Sequence, residues 1–363
     1  MMMEYRTTET LLEALVNALG EATGAAAHIV HEPQPLQNTA HPDAVIELGL
    51  EGKLYRFVVD AKRSLYPRDA REAIWKIRSY LADWGRTDRQ FIPVLVADSI
   101  SPGARELLRE ERVGHFDTSG SLFISAKGLY IRIDRPSSPK QQRAITNIFS
   151  GRRAQALHAV WTFGSNWFGV HQVADRAGVS PATASETLIS IERREWVEVR
   201  GSGPSKERRL IDRRALLDAW ADHQATVKPT ANKHFYLRAT ALSDLQKLID
   251  HTCDREGIPY EFTGITAGQI HAPYLSTVSQ VFCRLPATHR AKAVLEAIDA
   301  RPVREGWNLA VQESRSDDDF RFRQRQNDLW VADPLQTYLD LLQSGGRAKE
   351  LAQHMRAEKL EAL

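Results

Sequence analysis

Two short stretches place carboxylates where they can share a cation. Asp43 opens the run DAVIELGL, and Asp60-Ala61-Lys62 closes LYRFVVDAK, with Glu51-Gly52 between them. Both runs read as strands, and a two-residue connection with glycine at its second position is a hairpin turn. With Leu50 facing Lys53 across that turn, Glu47 faces Arg56 and Asp43 faces Asp60. Side chains alternate between faces, so Asp43, Asp60 and Lys62 point the same way. Two carboxylates on one face can hold a hard divalent cation such as Mg²⁺. A lysine beside them can orient a water and stabilise charge on a phosphate. This is the equipment of metal-assisted phosphodiester hydrolysis. The plainer alternative is a surface strand end in which Asp60 and Lys62 form a salt bridge. His28, His31 and His41 cluster near Asp43, as ligands, proton carriers or solvated loop residues.

Holding these groups requires a scaffold, and residues 1–135 read as a compact α/β unit. Leu11, Leu12, Leu15, Val16 and Leu19 recur at helical spacing, and Gly20 is a stop. The Pro/Gln/Asn-rich stretch 31–41 reads as a loop. After the hairpin come a helix over 68–84, a nearly all-apolar strand over 91–97, and a helix opened by Ser101-Pro102. In that pair, serine caps and proline occupies the first helical position. Short strands follow at 115–117, 121–124 and 129–133.

The middle of the chain has a different grammar. Residues 136–174 contain no Asp or Glu but include Lys140, Arg143, Arg152 and Arg153. Helices are expected over 152–168, 170–177 and 180–196, with Gly178-Val179 as the turn between the last two. Ser180 caps the third helix, with Pro181 next. Val173 and Ala174 turn inward, and Leu188 and Ile191 supply an apolar face. The start of the third helix offers Ser180, Ala182, Thr183, Ser185 and Glu186. Small polar groups there can enter a major groove about 12 Å wide and meet base edges. Strands at 197–200 and 208–211 flank a glycine-rich tip and resemble a wing. Arg200, Lys206, Arg208 and Arg209 can reach phosphates from it, joined by Arg143, Arg152 and Arg153. The competing reading is a three-helix packing or dimerisation module whose charges are merely solvated.

The whole-chain balance limits what else is possible. With 363 residues, 42% hydrophobic and 26% charged, the composition is that of an ordinary globular protein. Net charge is only +2, so any nucleic-acid surface must come from local segregation of charge. Cys253 and Cys283 are too few for a disulfide scaffold or a four-thiolate zinc site, and they read as thiols in a reducing cytoplasm. No apolar run approaches the roughly 20 residues of a membrane span, and the N-terminus does not read as a secretory signal. His251 and Cys253 share a helix without facing each other. Gly264 and Gly268 make no phosphate cradle. The last third mixes strands at 234–238 and 278–284 with helices at 243–255, 288–300 and 333–360, the last broken at Gly345-Gly346. Residues 320–325, alternating aromatic and basic, read as a strand with one solvated face, or as a surface for a nucleic-acid backbone.

Pro42-Asp43 with Asp60-Ala61-Lys62, behind a helix carrying Glu13 and ahead of one carrying Arg71, Trp75, Lys76 and Tyr80, resembles the PD-(D/E)XK, or restriction-endonuclease-like, superfamily. That likeness implies a nuclease-like fold for 1–135, with Asp43 and Asp60 as metal ligands, Lys62 assisting and Glu13 as an extra acid. Many such scaffolds serve as binding platforms, because fold does not give activity. The order of a nuclease-like domain, a winged helix-turn-helix over 136–225 and an α+β domain over 226–363 resembles the AbiEi-type antitoxin and transcriptional-regulator group of bacterial type IV toxin–antitoxin systems. The residues carrying that resemblance include Val94–Ala97 with Ser101-Pro102, Phe116-Asp117-Thr118-Ser119-Gly120, Phe262-Thr263-Gly264-Ile265-Thr266-Ala267, and Asp333-Pro334-Leu335-Gln336-Thr337-Tyr338. The best-studied members begin with the winged helix, so the N-terminal domain is a departure. The resemblance implies a cytoplasmic regulator that binds double-stranded operator DNA. Its C-terminal domain would serve a homodimer or a cognate toxin. An Mg²⁺-dependent DNA endonuclease targeted by the winged helix is the alternative, and a protein-interaction scaffold is the third.

Overall fold

The computed structural model describes residues 2–30, 42–84, 91–136, 147–239 and 241–361. His31, His41, Lys140 and Arg143 lie outside them. The described residues carry mixed α/β structure in two compact units. The first is residues 1–153 with 185–206, and the second is 154–184 with 207–363. The segment 136–225 is thus shared between the two rather than counted with one. No described helix is long and apolar enough to cross a membrane.

In the first unit a seven-stranded sheet runs in sequence order. It consists of β1 (Ala27–Val30), β2 (Ala44–Leu50), β3 (Lys53–Leu65), β4 (Phe91–Ile100), β5 (Gly114–Asp117), β6 (Leu122–Ala126) and β7 (Leu129–Ile133). β1, β2 and β3 form an antiparallel meander. β3, β4 and β5 are parallel, joined by α2 (Pro67–Trp84) and α3 (Pro102–Glu110). β5, β6 and β7 are antiparallel again. The expected register holds: Leu50 faces Lys53 and Glu47 faces Arg56, with an ion pair of 2.6 Å. Glu51 and Gly52 both have positive φ, 49° and 75°. That conformation matches the strand twist and favours glycine at the second position.

Period-two alternation sorts the side chains of this sheet. Phe57 and Val59 of β3 meet Leu11, Leu12, Leu15 and Leu19 of α1 (Met2–Thr23) on one face. Val58 of β3 and Leu95 of β4 meet Ala73, Ile74 and Ile77 of α2, and Leu107 and Leu108 of α3, on the other. As expected, α3 is capped by the Ser101 hydroxyl, which accepts from the Ala104 N–H at 3.4 Å. In this sheet β1 is the strand that sequence patterning does not anticipate.

The middle segment comprises α4 (Gly151–Thr162), α5 (Val170–Ala177), α6 (Pro181–Arg193), β8 (Val197–Arg200) and β9 (Glu207–Leu210), with β8 and β9 forming a two-stranded sheet. The first helix ends at Thr162 rather than continuing to 168. The chain turns at Gly164, with φ 59°, and Phe168 exchanges both backbone hydrogen bonds with Arg208 at 2.9 Å.

The rest of the second unit is another mixed seven-stranded sheet, ordered β13-β10-β14-β12-β11-β16-β15. Its strands are β10 (Asn232–Tyr236), β11 (Glu261–Phe262), β12 (Val281–Pro286), β13 (Arg301–Pro302), β14 (Leu309–Ser314), β15 (Gln324–Gln326) and β16 (Leu329–Val331). Its core joins Ile249 and Cys253 of α8 (Leu242–Glu256) and Val294 of α10 (His289–Ala297) to Phe262, Val281, Cys283 and Val311. The remaining helices of the unit are α7 (Arg213–Thr226), α9 (Gly264–His271), α11 (Pro334–Gln343) and α12 (Ala348–Met355). The break between α11 and α12 falls at Gly345-Gly346, as patterning suggested. Residues 320–325 depart from the single strand expected of them. Phe320 is buried at the end of a 3₁₀ turn, and Phe322 stacks on His158 with ring centres 4.0 Å apart. Arg323 lies 4.1 Å from the Trp330 ring, and only residues from Gln324 onward enter β15.

Candidate functional site

The hairpin brings the chemistry-bearing residues together. Asp43 N–H donates to Val59 O at 2.9 Å, and the Asp43 carboxylate accepts from Ala61 N–H at 2.6 Å. This fixes Asp43 across from Asp60 at the mouth of the hairpin. Lys62 Nζ lies 2.6 Å from Asp60 Oδ2, an ion pair. That buried oxygen accepts no aligned hydrogen bond. Loss of water around the Asp43 carboxyl raises its pKa, against the Ala61 N–H that lowers it. The adjacent Asp60 charge raises it further, and Lys62 offsets part of that. Two like charges held together with one lysine favour either a proton or a cation between them.

α2 adds two groups to this surface. Glu72 and Lys76 pair at 2.7 Å, one turn apart. The Glu72 carboxyl is lowered chiefly by Lys76, with a smaller contribution from Lys62. The Lys76 ammonium is raised chiefly by Glu72, with a smaller contribution from Asp60. Sequence reading singled out Lys76 and overlooked Glu72, although their i,i+4 spacing was visible. Glu13 does not join. It is exposed on α1, which packs on the opposite face of the sheet. His28 lies 3.8 Å from Glu47, away from Asp43. Among the described residues no group of three or more His, Cys, Asp or Glu is placed to hold a metal ion. Mg²⁺ commonly takes only one or two carboxylates and keeps waters and substrate oxygens as its other ligands.

Two helices with a glycine turn between them occupy residues 170–193. Gly178 caps α5 in the left-handed region, φ 65°, and Val179 N–H donates to Ala174 O at 3.0 Å. Ser180 Oγ accepts from Thr183 N–H at 3.1 Å and caps α6. Val173, Ala174, Ala177, Ala184, Leu188 and Ile191 are buried. Ser180, Ala182 and Glu186 are exposed, and Thr183 and Ser185 are half-buried.

The cations around it divide into distinct environments. Arg200 and Arg152 are exposed. Arg153 is engaged by Glu186 at 2.8 Å, a cross-link that also occupies the acid on the presented face of α6. Lys206 is half-buried and held by the buried Glu192 at 2.7 Å. Arg209 covers the Trp167 ring at 4.9 Å. Arg208, expected to grip a phosphate, is only 4% exposed, because β9 turns its side chain inward beside the backbone bridge to Phe168.

Sequence reading missed the buried charge of the second unit. Arg284 on β12 donates to Glu261 on β11 and, at 2.8 Å, to Asp340 on α11. Thr263 also donates to Asp340. Burial pushes the Glu261 carboxyl up to about 8 despite Arg284, and the Asp340 charge contributes to the rise. His158 meets Asp333 at 2.9 Å, and Asp333 also caps α11 through Gln336 N–H. These groups all lie within the second unit.

No family model matches the chain, and neither a curated protein nor a solved structure matches it.

Proposed function

We propose that this chain is a sequence-specific double-stranded DNA-binding protein, a bacterial cytoplasmic transcriptional regulator of the AbiEi antitoxin type. In this reading residues 1–135 are a nuclease-like platform, 136–225 a winged helix-turn-helix and 226–363 an α+β domain for a homodimer or a cognate toxin. The observation that carries it is the α5–Gly178–α6 turn, with the small polar start of α6 outward, followed by the β8–β9 hairpin. Ser180, Ala182, Thr183 and Ser185 would meet base edges. Arg152, Arg200 and Arg209 would take phosphates, joined by Arg153 and Lys206 on exchange of their acidic partners. A gel-shift survey with genomic duplex fragments at low salt tests it. Retarded complexes that compete selectively with one sequence are expected, and absence of any complex sinks the reading.

A second reading has its own observation, the convergence of Asp43, Asp60 and Lys62 at the hairpin mouth. It is an Mg²⁺-dependent DNA endonuclease, with Asp43 and Asp60 holding the ion. A bound ion would polarise the phosphoryl oxygen and its water. Lys62 would hold its ammonium beside the attacked phosphate, and Asp43 would give up its raised proton affinity on metal binding. The order α1, antiparallel β1–β2–β3, α2 and parallel β4 supports the nuclease-like scaffold. Plasmid nicking with Mg²⁺ by wild type, lost in Asp60→Ala, is the expected result. Nicking that survives the substitution removes this site from consideration.

A further inference from the structure

One row of the first sheet leads away from the hairpin mouth to a second cluster of charge. Asp60 on β3 is level with Leu95 on β4, which is level with His115 on β5, then Phe123 on β6 and Arg132 on β7. In-register neighbours share a face, and two strand spacings put His115 about 10 Å from Asp60 along that row. His115 is 1% exposed, and its ring stacks on Phe123 at 5.6 Å. Tyr130, 67% exposed, meets Phe123 edge-on at 6.0 Å.

α3 reaches over this row with two arginines one turn apart. Arg105 Nη2 donates to the buried Asp117 at 2.6 Å, and Arg109 Nη2 donates to Asp134 at 2.7 Å. Arg132 shares Asp134 at 2.9 Å. Three guanidinium groups thus face two carboxylates, leaving one positive charge in excess. Stacking two arginines at i,i+4 is unfavourable by itself.

The unmet hydrogen bonds point to a ligand. Arg105 Nε, Arg109 Nε and His115 Nδ1 are all buried without a partner. A guanidinium Nε–H can only donate, and a buried donor with no acceptor is costly. Burial, with Arg109 and Arg105 alongside, holds the His115 ring neutral, its pKa down at about 3. Charge repulsion by a protonated ring is therefore absent, and the ring can offer one N–H or one lone pair.

We propose that Arg105, Arg109 and His115 form a binding site for a phosphate-type oxyanion, with Tyr130 at its rim. Three donors arriving separately from a helix and a strand suit a group with several oxygens better than a single planar carboxylate. The phosphate comes either from a free small molecule or from a nucleic-acid backbone. The site belongs to the first unit alone and is independent of the winged-helix reading.

The test is binding of inorganic phosphate to the full chain, by calorimetry and by thermal midpoint, against sodium chloride of equal ionic strength. Saturable binding and a raised midpoint with phosphate are expected. Arg109→Gln should weaken that binding about tenfold or more, the scale of one charged hydrogen bond. Asp134→Asn, which removes a competing anion, should tighten it, a direction that poor folding cannot produce. No response of wild type to phosphate, an equal response to chloride, or both variants binding as wild type overturns the proposal. The slope of DNA affinity against salt separates the sources. A fall of about 1 in Arg109→Gln marks a backbone phosphate, and an unchanged slope beside lost phosphate binding marks a free one.

Discussion

Arg193, at the C-terminal end of α6, forks onto Asp69 in the first turn of α2. Its Nη2 lies 2.6 Å and its Nε 3.0 Å from Asp69 Oδ2, and Nη2 also reaches Ser64 Oγ at 3.1 Å. The guanidinium plane lies 4.6 Å from the Tyr66 ring. Arg71 with Glu195 and Arg68 with Glu192 repeat the pairing alongside. The end of the helix that presents Thr183 and Ser185 is therefore tied to the helix whose face carries Glu72 and Lys76. A planar fork stacked on a ring is not reproduced by an ammonium. Arg193→Lys should cost about 1 kcal/mol, close to Arg193→Ala, because half-exposed pairs are worth little beyond their geometry. Denaturant unfolding of both variants measures this. A lysine variant as stable as wild type would show that charge alone holds the junction.

Glu261 should make the second unit sensitive to alkali. Its folded pKa of about 8 stands above the ordinary 4.5. The stabilisation carried by its proton is therefore fully present below about 4.5 and is lost as pH rises through about 8. Glu261→Gln keeps an oxygen for Arg284 and removes the titration. Wild type should lose more stability than Glu261→Gln between pH 5 and pH 9, and the variant should be the more stable at the upper end. Hydrogen exchange of the β11 and β12 amides at the two pH values reads the effect locally. Identical pH profiles in both proteins would exclude Glu261 as the titrating group.

Physical range explains which features were legible in the sequence. The hairpin register could be read because a two-residue turn leaves one pairing, and Asp43 opposite Asp60 followed from it. The α5–α6 turn could be read because only glycine is comfortable at the φ of 65° that ends α5. Arg193 and Asp69 are 124 positions apart, and no local pattern announces such a pair. Likewise the added bridge from β9 to Phe168 is invisible locally, because residues up to 168 carry a helical pattern. The charge in Glu261–Arg284–Asp340 was opaque for the same reason, since three separate elements must fold before those groups meet.

The inward placement of Arg208 separates two substitutions that look alike on paper. Arg208→Ala removes a buried side chain beside the Phe168 bridge. It should destabilise the protein by about 1–3 kcal/mol, through lost packing of the buried side chain. Arg200→Ala, on an exposed position, should leave stability within about 0.5 kcal/mol. If α6 and the β8–β9 hairpin meet DNA, Arg200→Ala should also lower the salt slope of affinity by about 1. Thermal midpoints and filter binding over a range of salt check both. A stable Arg208→Ala protein with a reduced slope would reverse the two assignments.

Gly178 is where the turn between α5 and α6 is most exposed to a single methyl group. Its φ of 65° is strained for any residue with a side chain, a cost of about 1–2 kcal/mol. A β-carbon there would also lie 2.2 Å from Arg321 Nη2. Arg321 is held in place by Asp318 at 2.8 Å, so it does not step aside freely. Gly178→Ala therefore carries two penalties, one from the backbone and one from the displaced guanidinium. Removing the guanidinium with Arg321→Ala abolishes only the second. The double variant should thus be less destabilised than the sum of the two single ones, with a coupling of about 0.5–2 kcal/mol. A double-mutant cycle of unfolding free energies measures that coupling. Simple additivity would mean that Arg321 yields without cost, leaving the left-handed backbone as the whole reason for glycine at this turn.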